Sequence, residues 1–165
     1  MLIYAESFWR YYRKEPRHLT PRKIIMLVRL LYVSRCISNS TEMVESILSQ
    51  SRLRNPSLGI TGILCHSGNI FLQAIEGGRA AVSELYNHIS RDARHTDVVL
   101  LHYEEITERR FGGWTMGQVN LSKINTTVLM KYSALPELDP YSVSGKVSLA
   151  LLEELMATAS IIGRA

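Results

Sequence analysis

Residues 60–78 read ITGILCHSGNIFLQAIEGG. Two β-rich runs, Ile60 to His66 and Ile70 to Ile75, flank the turn-forming Ser67, Gly68 and Asn69, so the stretch predicts a β-hairpin that Gly77 and Gly78 close. Upstream, Ile24 to Ser34 alternates Met26, Val28, Leu30 and Tyr32 on one face with Leu27, Arg29, Leu31 and Val33 on the other, the pattern of a strand buried on both sides. Between that strand and the hairpin, Asn39 and Glu42 have the spacing of a capping box. Met43, Val44, Ile47 and Leu48 then recur at helical intervals, carrying a helix toward Arg54, where Pro56 and Gly59 break it. Downstream of the hairpin, Val82, Leu85 and Ile89 form one apolar stripe on a second helix that ends near residues 91–94. Two further strands follow, Val98 to Glu104 and Trp114 to Val119.

The predicted order is βαββαββ. Each crossover joins parallel strands and is right-handed, which puts both helices on one face of the sheet. The expected fold is therefore α+β, a ferredoxin-like sandwich with one extra strand and a C-terminal helical extension, and the groove between its helices suits a flat ligand. Beyond Asn120, Leu121, Ile124, Val128 and Leu129 suggest a short helix. A linker with Pro136, Pro140, Ser142, Ser144 and Gly145 leads to a second helix, Val147 to Ile162, apolar on most sides. Such a helix must cover the bare sheet face or meet a copy of itself. The chain thus divides into an extension, 1–23, a central domain, 24–120, and a helical tail, 121–165.

With 165 residues, 46% apolar and 21% charged, the composition is that of one globular domain. The formal charge of +4 comes from scattered basic residues; only Arg10, Arg13, Lys14, Arg17, Arg22 and Lys23 cluster, among Phe8, Trp9, Tyr11 and Tyr12, in a segment that reads as a partner-binding or loosely ordered extension. No run approaches the ~20 apolar residues of a membrane span, and no signal core is visible, so a cytoplasmic protein without nucleic-acid or membrane partners is expected. Cys36 and Cys65 are too few for a disulfide framework or a zinc site, and His66, His88 and His102 lack ligand spacing, so no metal is expected.

No P-loop, Rossmann fingerprint, His-Glu-x-x-His or nucleophile elbow occurs. What stands out is Gln73, a lone amide inside Ile70, Phe71, Leu72, Ala74 and Ile75. Buried without partners it would cost a few kcal/mol, so it must be hydrogen-bonded or face water at a strand edge. With donors and an acceptor on one side chain, it bridges two groups in more than one arrangement. Tyr32 reads either as a core aromatic with a backbone partner or as one of those groups.

Taken together, Tyr32, Asn55-x5-Thr61-Gly62, Phe71-x-Gln73-x-x-Glu76-Gly77 and Gly113-Trp114-x-Met116 resemble, in the same order, the BLUF family of blue-light photoreceptors. The resemblance covers about Met26 to Asn120. It implies noncovalently bound FAD between the two helices, with Tyr32 hydrogen-bonded to Gln73 and Gln73 to the flavin ring. Excitation would draw an electron and then a proton from Tyr32, and recombination would leave rearranged Gln73 hydrogen bonds, a red shift and no turnover. By the same resemblance Asn55 pairs with the polar edge of the ring and Ile47 packs on it. Arg94 and His95, ending the second helix, lie toward the ribityl and phosphate end, and Trp114 and Met116 couple Gln73 to output. Taken as plain residues, Asn55 is a helix C-cap, Arg94 and His95 favour a helix dipole, and Trp114 and Met116 fill core. Arg54 precedes Asn55 where members of the family vary among polar residues, and Pro56 follows it, a departure that bears on how this loop approaches the ring. The resemblance further implies output to a separate effector protein, with the tail helices forming a homo-oligomer. Two rivals share the topology: an RNA-recognition module that stacks bases on Tyr32 and Phe71, whose signature octapeptide fails at His66 to Gln73, and an acylphosphatase-like hydrolase using Arg35, which lacks a Gly-rich cradle.

Overall fold

The structure, a computed structural model, describes residues 26–38, 40–120 and 125–158. Its elements run β1 (Leu27–Cys36), α1 (Thr41–Leu58), β2 (Thr61–Ser67), β3 (Ile70–Gly78), α2 (Arg79–Ile89), β4 (His95–Glu105), β5 (Gly117–Asn120), α3 (Thr126–Met130) and α4 (Gly145–Thr158). The five strands form one sheet in the order β4-β1-β3-β2-β5, antiparallel throughout except that β5 runs parallel to β2. This is the expected ferredoxin-like sandwich with one added edge strand.

Alternation along the central strands divides the core in two. Val28, Leu30, Tyr32, Leu64, Phe71 and Ile75 point to one face, where Val44, Ile47 and Leu48 of α1 and Val82 of α2 pack on them. Leu31, Ile63, Cys65, Leu72 and Ala74 point to the other, where Leu151, Leu152 and Leu155 of α4 cover them. The tail helix therefore caps the bare sheet face, each leucine contributing about 1.5–3 kcal/mol of burial. That cap also disposes of the RNA-recognition reading, because the face such a domain exposes is closed and Phe71 lies on the helix-bearing side.

Several boundaries differ from the sequence reading, each for a local reason. Ser40, not Asn39, is the N-cap of α1: its hydroxyl accepts from the Met43 amide at 3.2 Å, while Asn39 lies outside the described residues. The helix continues through Pro56 and ends at Gly59, whose φ of +62° is the left-handed turn that glycine adopts freely. Asn55 is thus inside the last turn rather than its cap. α2 stops at Ile89, so Arg94 occupies a turn and His95 begins β4. The last strand starts at Gly117, leaving Trp114 and Met116 in the segment before it. Ile24 and Ile25, Leu121 to Ile124 and the end of the tail beyond residue 158 fall outside the described residues.

The long connection before β5 is held by a buried charge. Glu76, fully buried on the cap side of β3, accepts from the Arg29 guanidinium at 2.7 Å and from the backbone amides of Arg110 and Phe111 at 3.2 and 2.9 Å. Arg29 reaches Glu104 at 2.7 Å with its other nitrogen and lies over the Phe111 ring. Arg109 adds bonds to the carbonyls of Gly59 and Glu76 and to the Thr61 hydroxyl. Gly62 lets this region close, since a Cβ there would collide with the Ala74 carbonyl oxygen. Removing Glu76 leaves the buried Arg29 with Glu104 as its remaining carboxylate and frees the amides of Arg110 and Phe111; Glu76→Ala should lower stability by about 3 kcal/mol, read from urea denaturation midpoints at unchanged m-value.

Candidate functional site

A cleft opens between α1 and α2, over the floor formed by β1 and β3. Register decides what that floor presents. Tyr32 on β1 stands directly opposite Gln73 on β3, so both side chains point to the helix-bearing face. The Tyr32 hydroxyl donates a hydrogen bond to Gln73 Oε1, and Gln73 Nε2 donates to Met116 Sδ at 3.2 Å. Gln73 is 4% exposed and Tyr32 is fully buried, so the amide that interrupts an apolar run is a hydrogen-bonded core group and not a solvent-facing edge residue.

Burial drives the Tyr32 phenol far above the ordinary tyrosine range, with Tyr86 and Asp92 adding to the effect. Tyr86 of α2 stands edge-on to it, with ring centroids 5.6 Å apart. The cleft walls are Ile47 and Leu58 of α1 and Leu85 and Ile89 of α2. Asn55 enters from α1 and donates through Nδ2 to the Thr115 carbonyl at 2.6 Å, which leaves a second amide hydrogen and the carbonyl oxygen of that side chain for a ligand. Arg94 and His95 line the far end. Arg94 is paired there: Asp92 accepts from it at 2.5 to 3.0 Å, and these bonds outweigh burial in holding the Asp92 carboxyl below its usual range. Burial lowers the His95 imidazole below its ordinary value; its Nδ1 sits 3.0 Å from the Ser34 hydroxyl.

Of the residues singled out from sequence, Tyr32, Ile47, Asn55, Gln73, Arg94 and His95 all line this one cleft. Met116 and Trp114 separate. Met116 is buried against Gln73, whereas the half-buried Trp114 packs against the opposite core, and its indole N–H finds no acceptor among the described residues. Their backbones are tied to neighbours, Gly62 N–H to the Trp114 carbonyl at 3.1 Å and Arg52 Nε to the Met116 carbonyl at 3.1 Å. Sequence reasoning missed Gln50, Ser51, His88 and Asp92 in the lining. Gln50, Ser51 and His88 recur one and two turns from residues already chosen on the same helices, a spacing that would have found them. Arg35 is no anion cradle: it pairs with Asp97 and covers the Tyr141 ring.

The donor set fits a flat heteroaromatic group. Apolar side chains form the walls, amides with both donor and acceptor stand at the edges, and the Arg94 guanidinium at one end, beside a neutral His95, suits a phosphate. Among the described residues there is no group of three or more His, Cys, Asp or Glu side chains able to hold a metal ion, and no helix is long and apolar enough to cross a membrane.

Because the Tyr32 phenol is neutral in the fold and ionises near pH 10 when unfolded, the folded state retains a proton that the unfolded chain releases. Stability from this group is complete below pH ~10 and falls as pH rises beyond it. The difference in absorbance at 295 nm between the wild type and Tyr32→Phe should therefore show no tyrosine ionisation until the protein unfolds.

The sequence profile of the family described as Sensors of blue-light using FAD, BLUF, matches residues 27–117. The photoactivated adenylate cyclase subunit beta of Euglena longa is 36% identical over 92 residues, 54% of this chain and 11% of that protein. The blue light- and temperature-regulated antirepressor BluF of Escherichia coli strain K12 is 34% identical over 88 residues, 53% of this chain and 22% of that protein. The chain thus spans only about a tenth to a fifth of these relatives' length. The dark-state structure of BlrB, a BLUF protein, superposes with a TM-score of 0.69 at 36% identity, covering 84% of this chain and 100% of that one. A tyrosine bonded to a glutamine in the floor of an apolar cleft, on a fold shared with a solved member and matched across its central domain, makes this chain a member of the BLUF family, blue-light photoreceptors that use FAD.

Proposed function

We propose that this chain senses light without turnover of its own, that Tyr32 and Gln73 carry the photochemistry, and that Met116, Trp114 and the helical tail pass the result to a separate partner protein. The observation that supports this reading is the unbroken chain of hydrogen bonds from Tyr32 through Gln73 to Met116. When bound, FAD supplies absorption of blue light and, once excited, a strong one-electron oxidant.

Tyr32 is the oxidisable floor residue. Its phenol enters the event neutral, keeping its proton and donating it in a hydrogen bond to Gln73 Oε1. A phenol that has given up an electron is a far stronger acid, so the proton passes along the existing bond to the amide and returns when the electron returns. Gln73 is the bistable element. By turning over or tautomerising, its amide exchanges the group offered to Tyr32 for the one offered to Met116 and the cleft. A thioether is a weak acceptor, so surrendering the Met116 bond costs little. The rearranged amide presents a different hydrogen-bonding group to the cleft and thereby shifts the absorption of what is bound there.

The remaining lining residues hold the cofactor. Asn55 would meet the polar edge of the ring with its free amide hydrogen and oxygen, and Ile47 would pack on its face. Arg94 and His95 would receive the ribityl and phosphate end, Arg94 exchanging part of its pairing with Asp92 for the phosphate. We take residues 24–120 as the sensory unit, 1–23 as an extension and 121–165 as the output tail. Relatives bearing cyclase and antirepressor names support a signalling role; self-association through the tail helices is part of the same reading.

Tyr32→Phe and Gln73→Leu should each retain FAD, with affinity within about tenfold, the scale of one hydrogen bond. Both should lose the reversible red shift under blue light, followed by absorption spectroscopy. A complete photocycle in Gln73→Leu would refute the assigned switch.

A further inference from the structure

Tyr86 touches the photochemical pair without lining the cleft. It follows the buried Val82 by four residues and precedes Ile89 by three, so it lies on the stripe of α2 that faces the sheet, and it packs against the core that holds Tyr32. The two rings meet at 61° with centroids 5.6 Å apart, an edge contact. The other oxidisable aromatics among the described residues stand elsewhere. Trp114 and Tyr132 pack against the capped core, Arg35 covers the Tyr141 ring, and Tyr103 registers with Leu30.

The two phenols in contact differ in where a proton can go. Tyr32 is fully buried, and its hydroxyl donates to Gln73, which donates in turn to the Met116 thioether. An amide oxygen and a thioether are weak acceptors, so a proton released by oxidised Tyr32 stays within these three residues. Tyr86 is partly exposed, and water can take its proton. Burial raises both phenols above the ordinary tyrosine value, so each is neutral before the event.

We propose that Tyr86 is a second electron donor, in contact with Tyr32 and outside the cleft, through which the oxidised centre moves from the floor of the site to the surface of α2. This deepens the reading given above and rests on Tyr32 being the residue that is photo-oxidised. At the start of the step Tyr32 has lost one electron to the excited cofactor and its proton to Gln73. Tyr86 gives one electron to Tyr32, Tyr32 takes its proton back from Gln73, and the Tyr86 proton passes to water. The cycle closes when the electron first taken from Tyr32 returns to Tyr86 and water restores the proton there. Nothing is consumed. With an intact Tyr32 between the separated charges their recombination slows, which gives the Gln73 amide longer to settle in its new arrangement.

The test uses the full chain without flavin, carrying 3-aminotyrosine in place of Tyr32 as a trap more easily oxidised than tyrosine. Azidyl radicals made by pulse radiolysis oxidise accessible aromatics, and the buried trap then fills from them. Aminotyrosyl absorbance should grow in a first-order phase whose rate is independent of protein concentration. That phase should be lost in Tyr86→Phe, which keeps the ring and removes the oxidisable hydroxyl, and restored by 3,5-difluorotyrosine at position 86. A role confined to packing predicts the phase in Tyr86→Phe as well. Its persistence there, or its absence from the chain that retains Tyr86, overturns the relay and leaves Tyr32 as photodonor untouched. In the FAD-loaded chain a blue flash should produce tyrosyl absorbance with a slowly decaying component that Tyr86→Phe lacks, while the fast component remains. A loaded chain that gives no tyrosyl absorbance at all would remove Tyr32 as the donor and the relay with it.

Discussion

The register between β1 and β3 is the constraint on which the site depends. Tyr32 meets Gln73 because the two strands pair so that Leu31 faces Ala74 and Val33 faces Leu72. A slip of one residue would turn Gln73 into the capped core and bury Leu72 or Ala74 beneath the cleft. Every inward residue of both faces, from Leu30 and Ile75 on one to Leu31 and Leu72 on the other, votes for the observed pairing. The polar pair is thus positioned by the apolar core, and its own hydrogen bond joins side chains already brought together.

The connection before β5 is where positioning has to be supplied by polar groups. Residues 109–116 include no strand pairing, yet Met116 must stay against Gln73. Glu76 anchors one end of this segment through two backbone amides, and Asn55, Arg52 and Gly62 bind the carbonyls of its last residues. Asn55 therefore serves two masters: one amide hydrogen fixes this segment, and the remainder of its side chain faces the cleft. A ligand that pulls on Asn55 pulls also on the approach to β5.

Much of this was legible in the sequence, for physical reasons that differ by element. The hairpin, the two amphipathic helices and the tail helix announce themselves through periodicity, and Gln73 through the cost of burying an amide. The end of α1 was misread because proline usually ends a helix, whereas here Pro56 sits in the last turn and Gly59 supplies the stop. Ser40 was passed over for Asn39 because both are good caps and only geometry chooses between them. The partition of Trp114 from Met116 was invisible, since it depends on where β5 begins, and a four-residue strand leaves almost no periodic trace. Asp92 was missed because its part in the cleft rests on a pairing with Arg94 in a turn.

That partition bears on how a change at Gln73 could travel. A single residue, Thr115, separates a side chain buried in the helix-bearing core from one half-buried against the capped core. Met116 accepts from the Gln73 amide; Trp114 packs against the capped core, and β5, which follows them, pairs in parallel with β2. Close-packed cores deform little, so a shift of Met116 must be taken up either by the thioether's own rotamers or by the backbone that carries Trp114. The unsatisfied indole N–H lowers the cost of moving Trp114, because no hydrogen bond within the described residues has to break. The shortest mechanical path from cleft to cap therefore runs through three consecutive residues, Trp114 to Met116, with Thr115 between them bonded to Asn55.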